Sequence, residues 1–140
     1  MPYFIGHILE LPLTTVQDYA LIHYLSDYSI DLWKQQIDRI LEKHGLISII
    51  VHPDYVMNDR AWKTYTALLT YLSDLRSRHG IWAALPGEVN AWWRQRNQMR
   101  LVRRGDNWQI EGNGRQRARL AFACLQNDRL VFNVSQLEPT

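Results

Sequence analysis

Cysteine is nearly absent from this chain: Cys124 is the only one in 140 residues. An internal disulfide is therefore excluded, as is a zinc site built on paired cysteines, and the sequence fits a reducing, cytoplasmic setting. Long apolar runs are missing too. No window approaches the roughly 18 apolar residues of a membrane span, and Met1-Pro2-Tyr3-Phe4-Ile5-Gly6-His7 carries no positive leader, so neither a membrane anchor nor a signal peptide is expected. Catalytic signatures are equally scarce. There is no Gly-x-Ser-x-Gly nucleophile elbow, phosphate loop or dinucleotide fingerprint. The five histidines, His7, His23, His44, His52 and His79, include no pair three to five residues apart, and no Asp-Asp pair occurs. No metal site announces itself in such a pattern.

What is present suits a globular core: 46% of residues are hydrophobic, with six Trp and seven Tyr. A full (β/α) barrel needs about 250 residues, so barrel-like features here imply a reduced or partial version. The net charge of +2 hides an asymmetry. Residues 94–119 hold eight arginines against Asp106 and Glu111, a local charge of +6 that leaves −4 on the rest. A basic segment of this kind can meet phosphates or acidic polymers, but no recognition motif accompanies it and nucleic acid is not the expected partner.

The most telling stretch is Leu46-Ile47-Ser48-Ile49-Ile50-Val51-His52-Pro53-Asp54-Tyr55. Opened by Gly45 and closed by Pro53, it reads as a strand buried on both faces, as in parallel α/β sheets. His52 then sits at the strand's carboxyl end, where α/β folds gather their ligand-binding loops. Around it, Ile8–Leu13 reads as a short strand carrying Glu10, Val16–Tyr24 as a short helix with Asp18 in its first turn, and Ile30–His44 as a firmer helix stopped by Gly45. Asn58 or Asp59 caps a long helix to Arg78, whose buried stripe is read as Trp62, Tyr65, Leu68, Leu69, Leu72 and Leu75, with Gly80 ending it. Ile81–Leu85 forms another apolar strand and Pro86 opens a helix with Val89, Trp92 and Trp93. Strand, helix, strand, helix implies parallel neighbours with right-handed crossovers.

Beyond Gln98 the pattern changes. Met99–Arg103, Trp108–Glu111, Ala118–Cys124 and Leu130–Val134 alternate with Gly, Asn and Asp clusters, which predicts antiparallel hairpins. Cys124 reads as a small buried hydrophobe in one strand, and Arg117 and Arg119 as part of a solvated sheet face. The expected fold class is α/β: a partial (β/α) barrel with two or three parallel strands and long helices over residues 1–97, then a small antiparallel β-sheet over 98–140.

Candidate chemistry centres on His52 as a general acid, with Asp54 two residues on. Glu10 is a carboxylate in an apolar segment, and Glu88 opens a helix; both sit on strand ends or loops that can share a face with His52. Trp92 and Trp93 are adjacent on one helix and cannot both enter one core, so one of them packs on the C-terminal strands or stacks on a sugar ring, and Trp93 is the candidate for the sugar.

Taken together, Ile8-Leu9-Glu10-Leu11-Pro12-Leu13-Thr14, Gln17-Asp18-Tyr19, His44-Gly45, Val51-His52-Pro53-Asp54-Tyr55, and Trp82-Ala83-Ala84-Leu85-Pro86-Gly87-Glu88-Val89 with Trp92-Trp93-Arg94 resemble the C-terminal half of polysaccharide deacetylase-like proteins. These belong to the superfamily with the NodB homology domain, a distorted (β/α) barrel. The resemblance covers most of residues 5–97. It implies metal-assisted removal of acetyl groups from a polysaccharide or oligosaccharide, with His52 as the late-strand acid and Asp54, Glu10, Glu88 and Trp93 as candidates near substrate. The family's paired aspartates and its His-x-x-x-His ligands have no counterpart in this sequence. The resemblance therefore implies an acid without base or metal: no metal ligands in this chain, a zinc-like divalent ion only in a complete enzyme, and an isolated chain that is inactive. It implies further that the chain is oligomeric, poorly stable or partnered by a missing N-terminal half, since uncovered strand edges invite association. A second class of function stays open beside it, a non-catalytic carbohydrate- or anion-binding module using Trp and Arg side chains.

Overall fold

The computed structural model describes residues 1–135, which fall into two compact units, Met1–Ala83 and the residues from Ala84 onward. Helices and small antiparallel sheets are mixed along the chain. Among the described residues no helix is long and apolar enough to cross a membrane.

The first unit opens with a hairpin of β1 (Tyr3–Ile5) and β2 (Ile8–Glu10), antiparallel in the register Tyr3 to Glu10. Its mass comes from α1 (Asp31–Glu42) and α2 (Asp59–His79). Trp33 and Ile37, four apart on α1, meet Leu68 and Leu75 of α2 and Leu21, and these five form the buried core. In α2 the Asn58 side chain accepts the Ala61 N–H at 2.9 Å, which satisfies one of the amides a helix start leaves bare. Gly80, at φ +60°, takes the left-handed turn that ends the helix. The buried positions are Ala61, Thr64, Leu68 and Leu75, one helical stripe, whereas Trp62 and Leu69 of the expected stripe face solvent. The end of α1 differs from expectation: His44, not Gly45, carries the positive φ of 50°.

The parallel strands expected at 46–52 and 81–85 are not formed, and the strands present pair antiparallel, so no partial barrel is shown. Residues 46–51 carry no ladder; they are half-buried, with Ile50 the exposed exception. One edge of this segment is nonetheless occupied. Thr14 N–H donates to Ser48 O at 3.3 Å and Asp18 N–H to Ile50 O at 3.4 Å, so residues 14–18 run alongside 46–52 in the same direction. Side chains complete the match: Thr14 Oγ1 donates to Leu46 O and accepts the Ser48 N–H, at 2.8 and 2.9 Å. The physical reason is local. The expected helix over Val16–Tyr24 shortens to residues 18–24, ending in a π-helical turn at Ala20–Tyr24. Residues 14–17 form neither helix nor strand, and hydroxyl and carboxylate groups stand where a strand would offer amides and carbonyls.

In the second unit α3 (Pro86–Gln98) precedes two hairpins, β3 (Arg100–Arg104) with β4 (Asn107–Glu111), and β5 (Ala121–Gln126) with β6 (Arg129–Val134). Both are antiparallel, as the turn residues indicate. Arg115–Arg117 lies in a 3-10 turn ahead of β5, so Arg117 and Arg119 do not belong to a sheet face. Cys124 is half-buried rather than enclosed.

Candidate functional site

Asp18 ties the start of its short helix to residue 52. Its side chain has no solvent exposure, although a buried carboxylate is costly unless donors surround it. Three do. The Tyr19 N–H reaches Oδ1 at 2.8 Å, the His52 N–H reaches Oδ2 at 2.6 Å, and the His52 ring nitrogen Nδ1 lies 2.8 Å from Oδ1. A carboxylate in this setting only accepts, so Nδ1 carries the hydrogen and the other ring nitrogen, Nε2, is left free of Asp18. The His52 side chain is 41% exposed, so the imidazole is tethered at one end and open to solvent at the other.

The position of Asp18 is itself over-determined. Val16 N–H donates to Gln36 Oε1 at 2.9 Å, and the indole N–H of the buried Trp33 donates to Val16 O at 2.7 Å. The segment is thus pinned between α1 and residues 46–52. His52 in turn caps the 3-10 turn Pro53–Val56, where Pro53 fixes the exit of the chain.

One aromatic ring abuts the imidazole, and others continue from it. Tyr55 lies 5.0 Å from the His52 ring, and Tyr55 also contacts Tyr19 at 5.3 Å and His23 at 4.9 Å. Tyr19 reaches His23 at 5.1 Å and Tyr24, edge-on, at 5.2 Å. A hydrogen bond to Tyr24, with the Tyr24 and Tyr55 phenols close by, holds the Tyr19 hydroxyl above the usual tyrosine pKa.

The residues expected near substrate distribute as follows. Asp54 is exposed on the 3-10 turn, and it is Asp18, not Asp54, that bonds His52. Glu10 is half-buried at the end of β2. In the second unit Glu88 turns back on its own helix and accepts the Leu85 N–H at 2.7 Å, a capping role. Trp93 lies under the Arg96 guanidinium at 4.6 Å, and Trp92 under that of Arg117 at 4.2 Å. Gly114 permits the second contact: at φ +78°, a Cβ there would stand 2.9 Å from Gln95 Oε1, the atom that accepts from Arg117. Arg103 and Arg104 face Asp106 and Glu111 as exposed pairs.

Among the described residues no three His, Cys, Asp or Glu side chains converge as a metal site. Asp18 is taken up by its three donors, which leaves His52 Nε2 as the nitrogen of this pair that a metal could meet. The residue that sequence reasoning passed over as a site member is Asp18. An acid in a first helical turn has an ordinary explanation in the helix dipole, and the partner is 34 residues away. Comparison with protein-family models, with curated proteins and with solved structures finds no match to this chain.

Proposed function

We propose that the chain carries the acid half of a polysaccharide deacetylase-like hydrolase, acting in the cytoplasm on an acetylated polysaccharide or oligosaccharide. The observation that supports this reading is the buried Asp18 holding His52 by ring and backbone while leaving Nε2 open. In the doubly protonated imidazole, Nδ1–H stays on Asp18 and Nε2–H is the proton available for transfer. As the bond between acetyl carbon and sugar nitrogen or oxygen breaks, that proton passes to the departing sugar atom. Asp18 orients the ring and balances its charge, as a carboxylate does for histidine in hydrolytic triads. Activation of water and the base lie outside this chain, and the barrel geometry of the family belongs to that larger assembly.

Acetyl release from chitin-type oligomers tests the proposal. The chain alone, with or without zinc, is expected to release nothing. Mixed with a deacetylase half carrying the paired aspartates and His-x-x-x-His, it should restore release, and His52→Ala should lower that by about a hundredfold or more. Zinc-dependent release by the chain alone, or release indifferent to His52, overturns it.

The paired contacts of Arg117 on Trp92 and Arg96 on Trp93 favour a second reading, an anion- or carbohydrate-binding role for the second unit. Tryptophan fluorescence titrated with acidic oligosaccharides, without metal, distinguishes it.

A further inference from the structure

We infer that the rings of Tyr19, His23, Tyr24 and Tyr55 form a stacking platform for a pyranose ring beside the His52 imidazole. The inference rests on the carbohydrate reading of His52 and adds the groups that hold the sugar. Five rings, His52 included, form one contiguous cluster with neighbouring centroids 4.9 to 5.3 Å apart. They pack on one another at the surface: Tyr19 is 38% exposed and Tyr24 74%. Ring burial elsewhere in this unit goes to Trp33, so these tyrosines are not core residues that happen to reach solvent.

The backbone beneath them is unusual in a way that gathers them. Leu25 N–H donates to Ala20 O at 3.0 Å, the wider repeat of a π-turn, which brings side chains four and five residues apart over each other. Tyr19, His23 and Tyr24 have that spacing. Single π-turns recur at functional sites, and an ordinary helix would keep Tyr19 beside His23 but turn Tyr24 away from them. Leu21 and Ile22 of the same turn are buried and anchor it.

The chemistry of the surface selects the ligand. Its faces are apolar and polarisable, and its rim carries phenol hydroxyls and imidazole nitrogens. A pyranose offers the complement, a C–H face for the rings and hydroxyls at the edge. An apolar peptide would match the ring faces but not the polar rim.

The test is a titration of the whole chain with tri-N-acetylchitotriose in the presence of EDTA, read from tyrosine and histidine ring resonances by NMR. Saturable shifts at Tyr19, Tyr24, Tyr55 and His23 are expected. Tyr24→Ala, at an exposed position, should weaken binding about tenfold with the spectrum of the fold intact. Tyr55→Ala should do the same, and Tyr55→Phe, which keeps the ring and loses one rim hydroxyl, should weaken binding less than Tyr55→Ala does. No saturable shift up to about 20 mM ligand overturns the platform, as do shifts confined to tryptophans or an unchanged affinity in both alanine variants. The two readings fail separately: ring shifts without His52-dependent acetyl release in the mixed assay remove the enzyme and keep the platform, and release without ring shifts does the reverse.

Discussion

Asp18 joins three donors at a point with no solvent, and His52 is one ring attached to it from outside. The two residues are therefore expected to differ sharply on truncation. Asp18→Ala strands two backbone amides and the imidazole, and should lower the unfolding free energy by about 3 kcal/mol in urea denaturation. His52→Ala removes a half-exposed ring and leaves the backbone bond to Oδ2 in place, so about 1 kcal/mol is expected. An equal loss in both would mean that the ring, not the carboxylate, organises the loop. His52 was legible in the sequence because an apolar run ends on it. Its partner was not, since a contact between a helix start and a segment 34 residues on leaves no trace in spacing.

Among the elements, α2 was the most readable, because a capping Asn58, a helical stripe and Gly80 all agree on the same limits. Gly80→Ala places a side chain at φ +60° and should cost about 1 kcal/mol, and Asn58→Ala about the same through the lost cap. Thermal melts of the two variants check both. Helix α1 is tied to α2 by Tyr71, whose hydroxyl donates to Asp38 Oδ1 at 3.0 Å. Desolvation first, then that bond and the nearby Asp38 charge, raise the Tyr71 pKa above its ordinary value of 10.0. The folded chain thus favours the protonated phenol. Its contribution to stability is whole below the ordinary value and is lost as pH climbs through the raised one. Melting temperatures followed from neutral to alkaline pH should show this loss in the wild type and less of it in Tyr71→Phe. The stretch 46–51 was misread for an equally physical reason. Alternation and apolarity specify how much of a segment is buried, but not which backbone it pairs with, and here hydroxyl and carboxylate side chains replaced a neighbouring strand.

For the molecule as a whole, the second unit leaves a continuous apolar face uncovered. Ala121, Ala123 and Leu125 of β5 stand opposite Val134, Phe132 and Leu130 of β6, and all six are exposed, Leu125 by 72% and Phe132 by 61%. Antiparallel partners share a face, so these side chains form one patch on a two-stranded sheet with open edges. Self-association at micromolar concentration is expected by sedimentation velocity, and Leu125→Lys with Phe132→Lys should shift the chain toward monomer. A wild type that sediments as monomer throughout would contradict it. The bond between the His52 amide and Asp18 has a different reach. It forms with any residue but proline at position 52, so selection for a folded chain alone would preserve Asp18 and leave the side chain at 52 free to change. A lineage with no use for a proton at this ring would keep the buried carboxylate and could lose the imidazole.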